Sequence, residues 1–343
     1  MSYKNKLSKV YTLQFKRPKK FWNVRSIPIG QINYHKNNFS KYFKMPIKNF
    51  RNMKVLDTGA GPGLHSTILA LMGCDVYAAD ILKSNVKKMH KFKKAYKLKN
   101  LKIFQHDFRK DFNKSKNFDL ISCHNWIQHS PNPNLILKKI LKKLKIGGRI
   151  YVSCYHSGTF RFFITYIARK LLKFKDFNLL KKETNKFFPK GFKIYKNPDD
   201  IYSANIRDDF FSPYCITINY KDFLNLAKKN NLKLYTKVPK IKNLIYLDNI
   251  PLRVGLQKTT LKNKFKNNKI FRFPVNEFLK SKCKIRNECA SLTKNIIKKF
   301  KSKSTSADRV KFTLGLYRIR AKYCRSSGKN KYIELRKFLK TYV

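Results

Sequence analysis

The stretch "VLDTGAGPGLHS", residues 55–66, decides the fold of this chain. Residues 53–57 form an apolar run that is suited to a buried strand, and residues 64–72 continue as a helix. Gly59, Gly61 and Gly63 lie between them, where glycine lets the backbone approach a ligand closely. A dinucleotide fingerprint needs glycine at the sixth position, and Leu64 stands there instead.

The spacing GxGxG, with Asp57 two residues before the first glycine, resembles motif I of the class I S-adenosylmethionine (SAM) methyltransferases. This resemblance implies that the loop binds SAM through residues of motif I, namely Asp57, Gly59, Ala60, Gly61 and Gly63. One alternative stays open at this point, because any tight turn from a strand to a helix can use the same glycines.

Acidic residues follow the next two predicted strands. Asp80 ends "CDVYAAD" after a strand at 75–79, and Asp107 ends the strand in "LKIFQHDF". The resemblance implies that Asp80, with Ile81 beside it, accepts hydrogen bonds from the ribose hydroxyls, and that Asp107 and Phe108 lie near the adenine. Taken singly, either acid can instead cap the N-terminus of a helix.

Residues 118–155 are similar to the corresponding region of small-molecule and lipid-type methyltransferases. A fourth strand ends near Cys123, and Asn125 then follows on the cofactor side. We predict a helix at 134–145, a C-terminal turn at the pair Gly147–Gly148 and then a fifth strand. The apolar stripe of that helix consists of Leu137, Ile140, Leu141 and Leu144. His129 either reaches the acceptor or hydrogen-bonds its own loop.

Further candidates for the acceptor site follow strand five. The resemblance implies a helix at 220–231, with Phe223, Leu224 and Ala227 inward, a sixth strand, and a seventh strand at 252–257. It also implies a lid over the acceptor. The candidate catalytic residues are His129, Tyr155, His156, Arg207, Asp208 and Asp209. The last three form a surface ion pair in the simpler interpretation.

A basic amphipathic helix is predicted at 159–174. Its apolar residues are Phe160, Phe163, Ile164, Ile167, Leu171 and Phe174. Such a helix can cover an apolar acceptor, touch an anionic membrane surface peripherally, or simply pack on a core. The C-terminal flank has helical spacing at Phe278, Cys289, Leu292, Ile296 and Phe300, with breaks at 301–308 and 325–331.

The net charge of +61 has two explanations. Lysine and arginine can neutralise the phosphates of a nucleic acid. However, the excess consists of 63 lysines against 16 arginines, and arginine is the better bidentate reader of phosphates and bases. Drift in an A/T-rich genome is therefore the favoured explanation, and an RNA partner stays open.

Cysteine usage and hydropathy indicate a cytoplasmic protein. Its start is polar, without the apolar segment of a signal peptide, and no stretch is long enough to cross a bilayer. The seven cysteines include no CxxC pair, so we expect buried thiols in a reducing compartment and no metal site.

We therefore predict a doubly wound, seven-stranded Rossmann-like α/β fold. The predicted segments are an N-terminal flank at 1–50, a methyltransferase domain at 51–257 with a lid insertion at about 156–219, and a basic helical extension at 258–343. The resemblance implies methyl transfer from SAM to an oxygen, nitrogen or carbon nucleophile of a small or lipid-like acceptor. The alternatives are an RNA methyltransferase and a noncatalytic module of the same fold that binds RNA or protein.

Overall fold

A computed structural model describes residues 5, 27–155, 160–173, 176, 179–180, 182–183, 210–218, 220–238, 252–260, 275–322 and 328–342. The chain divides into two compact units. The first contains Met1–Ser157, Pro213–Pro239 and Pro251–Lys264, and the second contains Gly158–Ser212, Lys240–Ile250 and Phe265–Val343. Each unit is therefore built from segments that are distant in sequence.

The first unit is built on a seven-stranded sheet, as predicted. The strands follow the order β3-β2-β1-β4-β5-β7-β6, and only β7 runs antiparallel to its neighbours. The strands are β1 (Lys54–Thr58), β2 (Asp75–Asp80), β3 (Leu101–Gln105), β4 (Phe118–His124), β5 (Leu144–Cys154), β6 (Leu232–Val238) and β7 (Leu252–Lys258). The order reverses direction at β1, so β1 and β4 flank the switch point of a doubly wound fold.

Helices cover this sheet and bury its apolar side chains. They are α1 (Ile29–Phe43), α2 (Leu64–Leu71), α3 (Lys83–Ala95), α4 (Pro133–Leu141) and α6 (Tyr220–Lys229). Helix α1 comes from the N-terminal flank, and its Phe39 and Phe43 are buried in one cluster with Val55 and Ile68. In α6, Phe223 and Ala227 are buried as predicted, whereas the side chain of Leu224 lies outside the described part.

The predicted turn at Gly147–Gly148 is wrong, because both glycines lie within β5. Helix α4 ends at Leu141, and Leu144 already pairs with Phe118 of β4. The next pair joins Arg149 to Leu120, so the residues between them bulge out of the ladder. Gly147 takes a φ of 77°, and a Cβ on Gly148 would lie 3.0 Å from the Asp119 carbonyl oxygen. Gly147 and Gly148 therefore form a bulge in β5 rather than the C-terminal turn of a helix.

Two other elements, β3 and α6, end earlier than predicted. Strand β3 ends at Gln105, two residues before Asp107, which begins a turn closed by the Lys110 amide. Helix α6 ends at Lys229, and Asn231 takes a left-handed φ of 51° before β6. Asparagine tolerates this conformation, which lets the chain reverse direction within two residues.

The described part of the second unit is helical. Its helices are α5 (Phe160–Leu171), α7 (Val275–Lys303), α8 (Ser306–Lys322) and α9 (Gly328–Lys340). Ile164, Ile167 and Leu171 of α5 are buried in one cluster with residues of α7, α8 and α9. The apolar face of the predicted amphipathic helix therefore packs on the C-terminal helices. Among the described residues, no helix combines the length and hydropathy needed to cross a membrane.

Candidate active site

The carboxyl ends of β1 and β4 meet at the switch point, where ligands of doubly wound folds bind. The glycine loop follows β1. Gly59, Gly61 and Gly63 all have positive φ, at 59°, 58° and 94°. A side chain strains this backbone, which explains why three glycines stand in five residues.

The loop glycines differ in their surroundings. A Cβ on Gly59 would lie 2.4 Å from Cγ of Trp126, and one on Gly63 would lie 2.5 Å from Cγ of Met89. A Cβ on Gly61 would meet no atom within 4 Å. Two glycines therefore serve close packing, while open space adjoins the third.

Asp80 ties the glycine loop to the end of β2. Its Oδ2 accepts a hydrogen bond of 2.9 Å from the Gly61 amide, and its Oδ1 accepts from the Leu82 amide and from Nδ2 of Asn85. The residue is only 6% exposed, and this burial raises the pKa of its carboxyl to about 6. A carboxylate has about four acceptor sites, so Oδ2 keeps one for a ligand.

Asp57 serves the structure of the loop. Its carboxyl lies under α2 and accepts a hydrogen bond of 2.5 Å from Oγ of Ser66. Burial raises the pKa of Asp57 to about 6, and the charge of Asp80 adds to that effect. With an exposure of 2%, Asp57 holds α2 against β1 rather than facing a ligand.

Trp126 adjoins the glycine loop, a position that motif reasoning missed. Its ring lies against Gly59 and is 5.6 Å from the ring of Phe108, centroid to centroid. Its Nε1 donates to Oγ1 of Thr58 at the end of β1. The sequence showed only an aromatic residue two positions after β4. That this residue packs on Gly59 is visible only in the structure.

The side chains of Asp107 and Asn125 both accept hydrogen bonds from neighbouring side chains. Both carboxylate oxygens of Asp107 accept from the Arg109 side chain. Burial opposes ionisation of Asp107, but the Arg109 hydrogen bonds outweigh it and lower the pKa. Asn125 has a φ of 53°, and its Oδ1 accepts from Oγ of Ser153. Ile81 lies in the bend after β2, where its carbonyl accepts from Gln105.

The comparisons with known proteins agree with this geometry. Residues 49–187 match a protein family described as "Methyltransferase domain". This segment of the chain carries a methyltransferase domain. The methyltransferase domain thus has the fold that its motif I implied.

Several proteins similar to this domain are themselves named as methyltransferases. Two are proteins named ubiquinone biosynthesis O-methyltransferase, from Colwellia psychrerythraea (26% identical, 43% of this chain and 63% of the relative) and Coxiella burnetii (28%, 43% and 60%). The chain thus spans about three fifths of the length of these relatives. Among solved structures, it is similar to magnesium protoporphyrin IX methyltransferase from Synechocystis PCC 6803 with bound SAM (10% identical, 76% of this chain and 98% of that chain, TM-score 0.45).

His129 of the methyltransferase domain is buried and uses both ring nitrogens. Nδ1 lies 3.1 Å from the Tyr214 carbonyl oxygen, so Nδ1 carries a proton and donates. Nε2 lies 3.1 Å from Nε2 of Gln128 and therefore accepts. Both ring nitrogens of His129 thus lie within hydrogen-bonding distance of its own surroundings, an arrangement that suits the structural one of its two possible roles.

Tyr155 lies beside His129, with the two rings edge to face at 5.5 Å. Its carbonyl accepts from the Ile218 amide, which brings the segment after residue 213 against the end of β5. The other candidates, His156, Arg207, Asp208 and Asp209, lie outside the described residues. Within the described part of the chain, no three His, Cys, Asp or Glu side chains are grouped so as to hold a metal ion.

Proposed function

We propose that this protein transfers a methyl group from SAM to a hydroxyl oxygen of a small organic acceptor. The observation that carries the proposal is the joint geometry of Gly61 and Asp80. The loop leaves open space beside Gly61, and the buried carboxylate bound to the Gly61 amide keeps one acceptor site. An adenosine moiety needs both a close backbone approach and an acceptor for a ribose hydroxyl.

The residues at the switch point fit the cofactor. Asp80 would bind the ribose, while Gly59, Ala60, Gly61 and Gly63 would supply backbone contacts. Phe108 and Trp126 offer flat apolar surfaces beside the same loop, which suit a purine ring. Because Arg109 occupies both oxygens of Asp107, we propose that Asp107 fixes this turn and contacts the adenine only through its backbone.

When bound, SAM supplies an electrophilic methyl group on a sulfonium. The chain need only align the acceptor oxygen with that methyl group and exclude water, since orientation alone can supply much of the rate. A hydroxyl acceptor also needs its proton removed. His129 already donates through one nitrogen and accepts through the other, so we assign it the positioning of the loop that follows β4.

The names of the curated relatives support an oxygen nucleophile on a small acceptor. Those relatives are 26–28% identical over the segment that contains motif I. The high positive charge supports an RNA acceptor instead, which is the second candidate. Because lysine dominates that charge, we favour the small acceptor.

Two measurements test the proposal. Calorimetric titration with SAM should show binding, and binding of NAD without SAM would contradict the cofactor. Incubation with methyl-labelled SAM and a cell extract should then place the label in the small-metabolite or organic-soluble fraction. Label confined to RNA and lost after nuclease treatment would overturn the acceptor. Transfer to RNA should also weaken steeply between about 50 and 200 mM salt, whereas transfer to a small acceptor should not.

A further inference from the structure

Three histidines from three separate elements of the first unit form a continuous row of edge-to-face ring contacts, which we call the histidine stack. His35 of α1 meets His65 of α2, and His65 meets His124 of β4, each pair with ring centroids 4.8 Å apart. All three rings are half-buried. They lie edge to face, the arrangement of neutral aromatic rings.

The stack adjoins the cofactor loop at two points. His65 is the second residue of α2, directly after the loop that ends at Gly63. His124 is the last residue of β4, and its Nε2 lies 3.3 Å from Nδ2 of Asn125. A change in the stack therefore acts on both strand ends at the switch point.

The same stack holds the N-terminal half of α1. The C-terminal half is fixed by the buried side chains of Phe39, Tyr42 and Phe43. In the N-terminal half, Ile29 and Tyr34 are 72% and 63% exposed, and Ile32 only partly packs against the core. Ile27, just before the helix, is buried in the core and its amide donates to the Tyr96 hydroxyl, so contact with His65 is a second attachment of this half.

The surroundings of the stack disfavour a positive charge. Burial lowers the pKa of His65 well below its usual value, and the charges of His124 and His35 lower it further. Burial also lowers the pKa of His35. His65 lies at a helix N-terminus, where the helix dipole opposes a cation.

The other ionisable groups facing the stack do not compensate. Tyr34 of α1 meets the His35 ring edge to face, and Tyr42 of α1 and Tyr151 of β5 stack with His124, so these neighbours present aromatic rings and no carboxylate. On β1, Asp57 hydrogen-bonds Ser66, and its pKa of about 6 leaves it largely protonated in acid.

We infer that the ring contacts of His35, His65 and His124 position the N-terminal half of α1 beside the cofactor loop, and that this contact requires His35 and His65 to be uncharged. Acid then releases this half of the helix and loosens the loop that binds the cofactor. The part of this inference that concerns the cofactor rests on the proposed function.

The sign of the pH effect follows from proton linkage. A histidine whose pKa is lowered in the closed state stabilises that state above about pH 6.5 and ceases to do so as the pH falls. Each proton taken up on opening costs up to about tenfold in affinity per pH unit below that value. SAM affinity also depends on pH through the Asp80 carboxyl, whose pKa is raised to about 6. Because His65→Phe leaves Asp80 in place, this second pH dependence should be the same in the variant and the wild type.

The test compares variants that keep an aromatic ring but cannot be protonated. His65→Phe removes the central charge, His35→Phe serves as a second variant if the first folds poorly, and His90→Phe on the exposed face of α3 is the matched control. SAM affinity is titrated between pH 5.5 and 8. In parallel, hydrogen exchange of the amides at 32–38 is measured without cofactor.

We expect the wild type and His90→Phe to lose roughly tenfold more affinity between pH 8 and 5.5 than His65→Phe. Exchange at 32–38 should accelerate in acid, beyond the intrinsic change, in the wild type but less in the His65 or His35 variant. Equal pH profiles in all variants would overturn the inference while leaving the cofactor in place. If SAM fails to bind at pH 8 but exchange still depends on the stack, the proposed function fails and the positioning role stands.

Discussion

Asp80 combines burial with hydrogen bonds from three donors, and this combination makes its ionisation measurable. If Oδ2 accepts a ribose hydroxyl, Asp80→Asn should weaken SAM binding by about 1.5–3 kcal/mol, because a hydrogen bond to a buried charge is lost. Since the pKa of Asp80 is raised to about 6, wild-type affinity should rise as the pH increases through 6 and then level off. Calorimetry at several pH values checks both effects.

Asp75→Asn is the matched control, because Asp75 begins the same strand and pairs with the half-exposed Lys102. Its SAM affinity should equal that of the wild type. If Asp80→Asn bound SAM as tightly as this control, Asp80 would have no role in recognition.

Gly59 and Gly61 form a natural pair for comparison. Their φ values are 59° and 58°, so alanine at either position carries a similar backbone strain of about 1–2 kcal/mol. Only at Gly59 does the new Cβ overlap the Trp126 ring. Gly59→Ala should therefore lower the free energy of unfolding by about 1–3 kcal/mol more than Gly61→Ala, measured by urea denaturation. Equal losses would show that the ring moves aside without cost.

At the scale of elements, Arg149 links β5 to the end of α1. Its Nη1 donates to the carbonyls of Phe43 and Lys44, which close the helix at its negative end. Arg149→Met should cost about 1–2 kcal/mol of stability and should accelerate hydrogen exchange in the last turn of α1. Lys91→Met, on the exposed face of α3, controls for the loss of a charge. Similar exchange in both variants would mean that core packing alone holds this helix end.

At the scale of the whole molecule, the second unit carries its own buried ion pair. Arg309 of α8 donates from Nε and Nη2 to Asp176, and both side chains are almost fully buried. Arg309→Met leaves Asp176 without its charged partner, which should destabilise this unit by about 3–5 kcal/mol. Because all predicted cofactor residues belong to the first unit, SAM affinity of the folded variant should be unchanged.

Calorimetric unfolding and SAM titration of the same variant separate the two effects. Lys301→Met on the exposed side of α7 is the control and should leave both quantities near the wild type. A loss of SAM affinity in folded Arg309→Met would show that the second unit contributes to the site. Removing everything after residue 257 is a poorer test, because it would expose the buried face of α5.

The local pattern around residues 55–66, through its resemblance to motif I, was enough to predict the fold of the first unit. Period and composition are local properties, so they predicted the first five strands, three residues of the apolar stripe of α4 and Asp80 at the end of β2. The predicted boundaries of helices and strands were wrong where pairing with a strand distant in the sequence determined them. Gly147 and Gly148 join β5 because β4 pairs on both sides of them, and no local signal distinguishes that bulge from a helix end.

Tertiary structure alone decided which side chains meet. His35, His65 and His124 are 30 and 59 residues apart along the chain, yet their rings touch because α1 packs against α2 and β5. Trp126 reaches Gly59 because β4 pairs with β1, which brings together the residues that follow the two strands. A sequence motif specifies backbone shape and residue type at one place. Whether a carboxylate is left for a ligand or already occupied depends on neighbours that only the folded chain supplies.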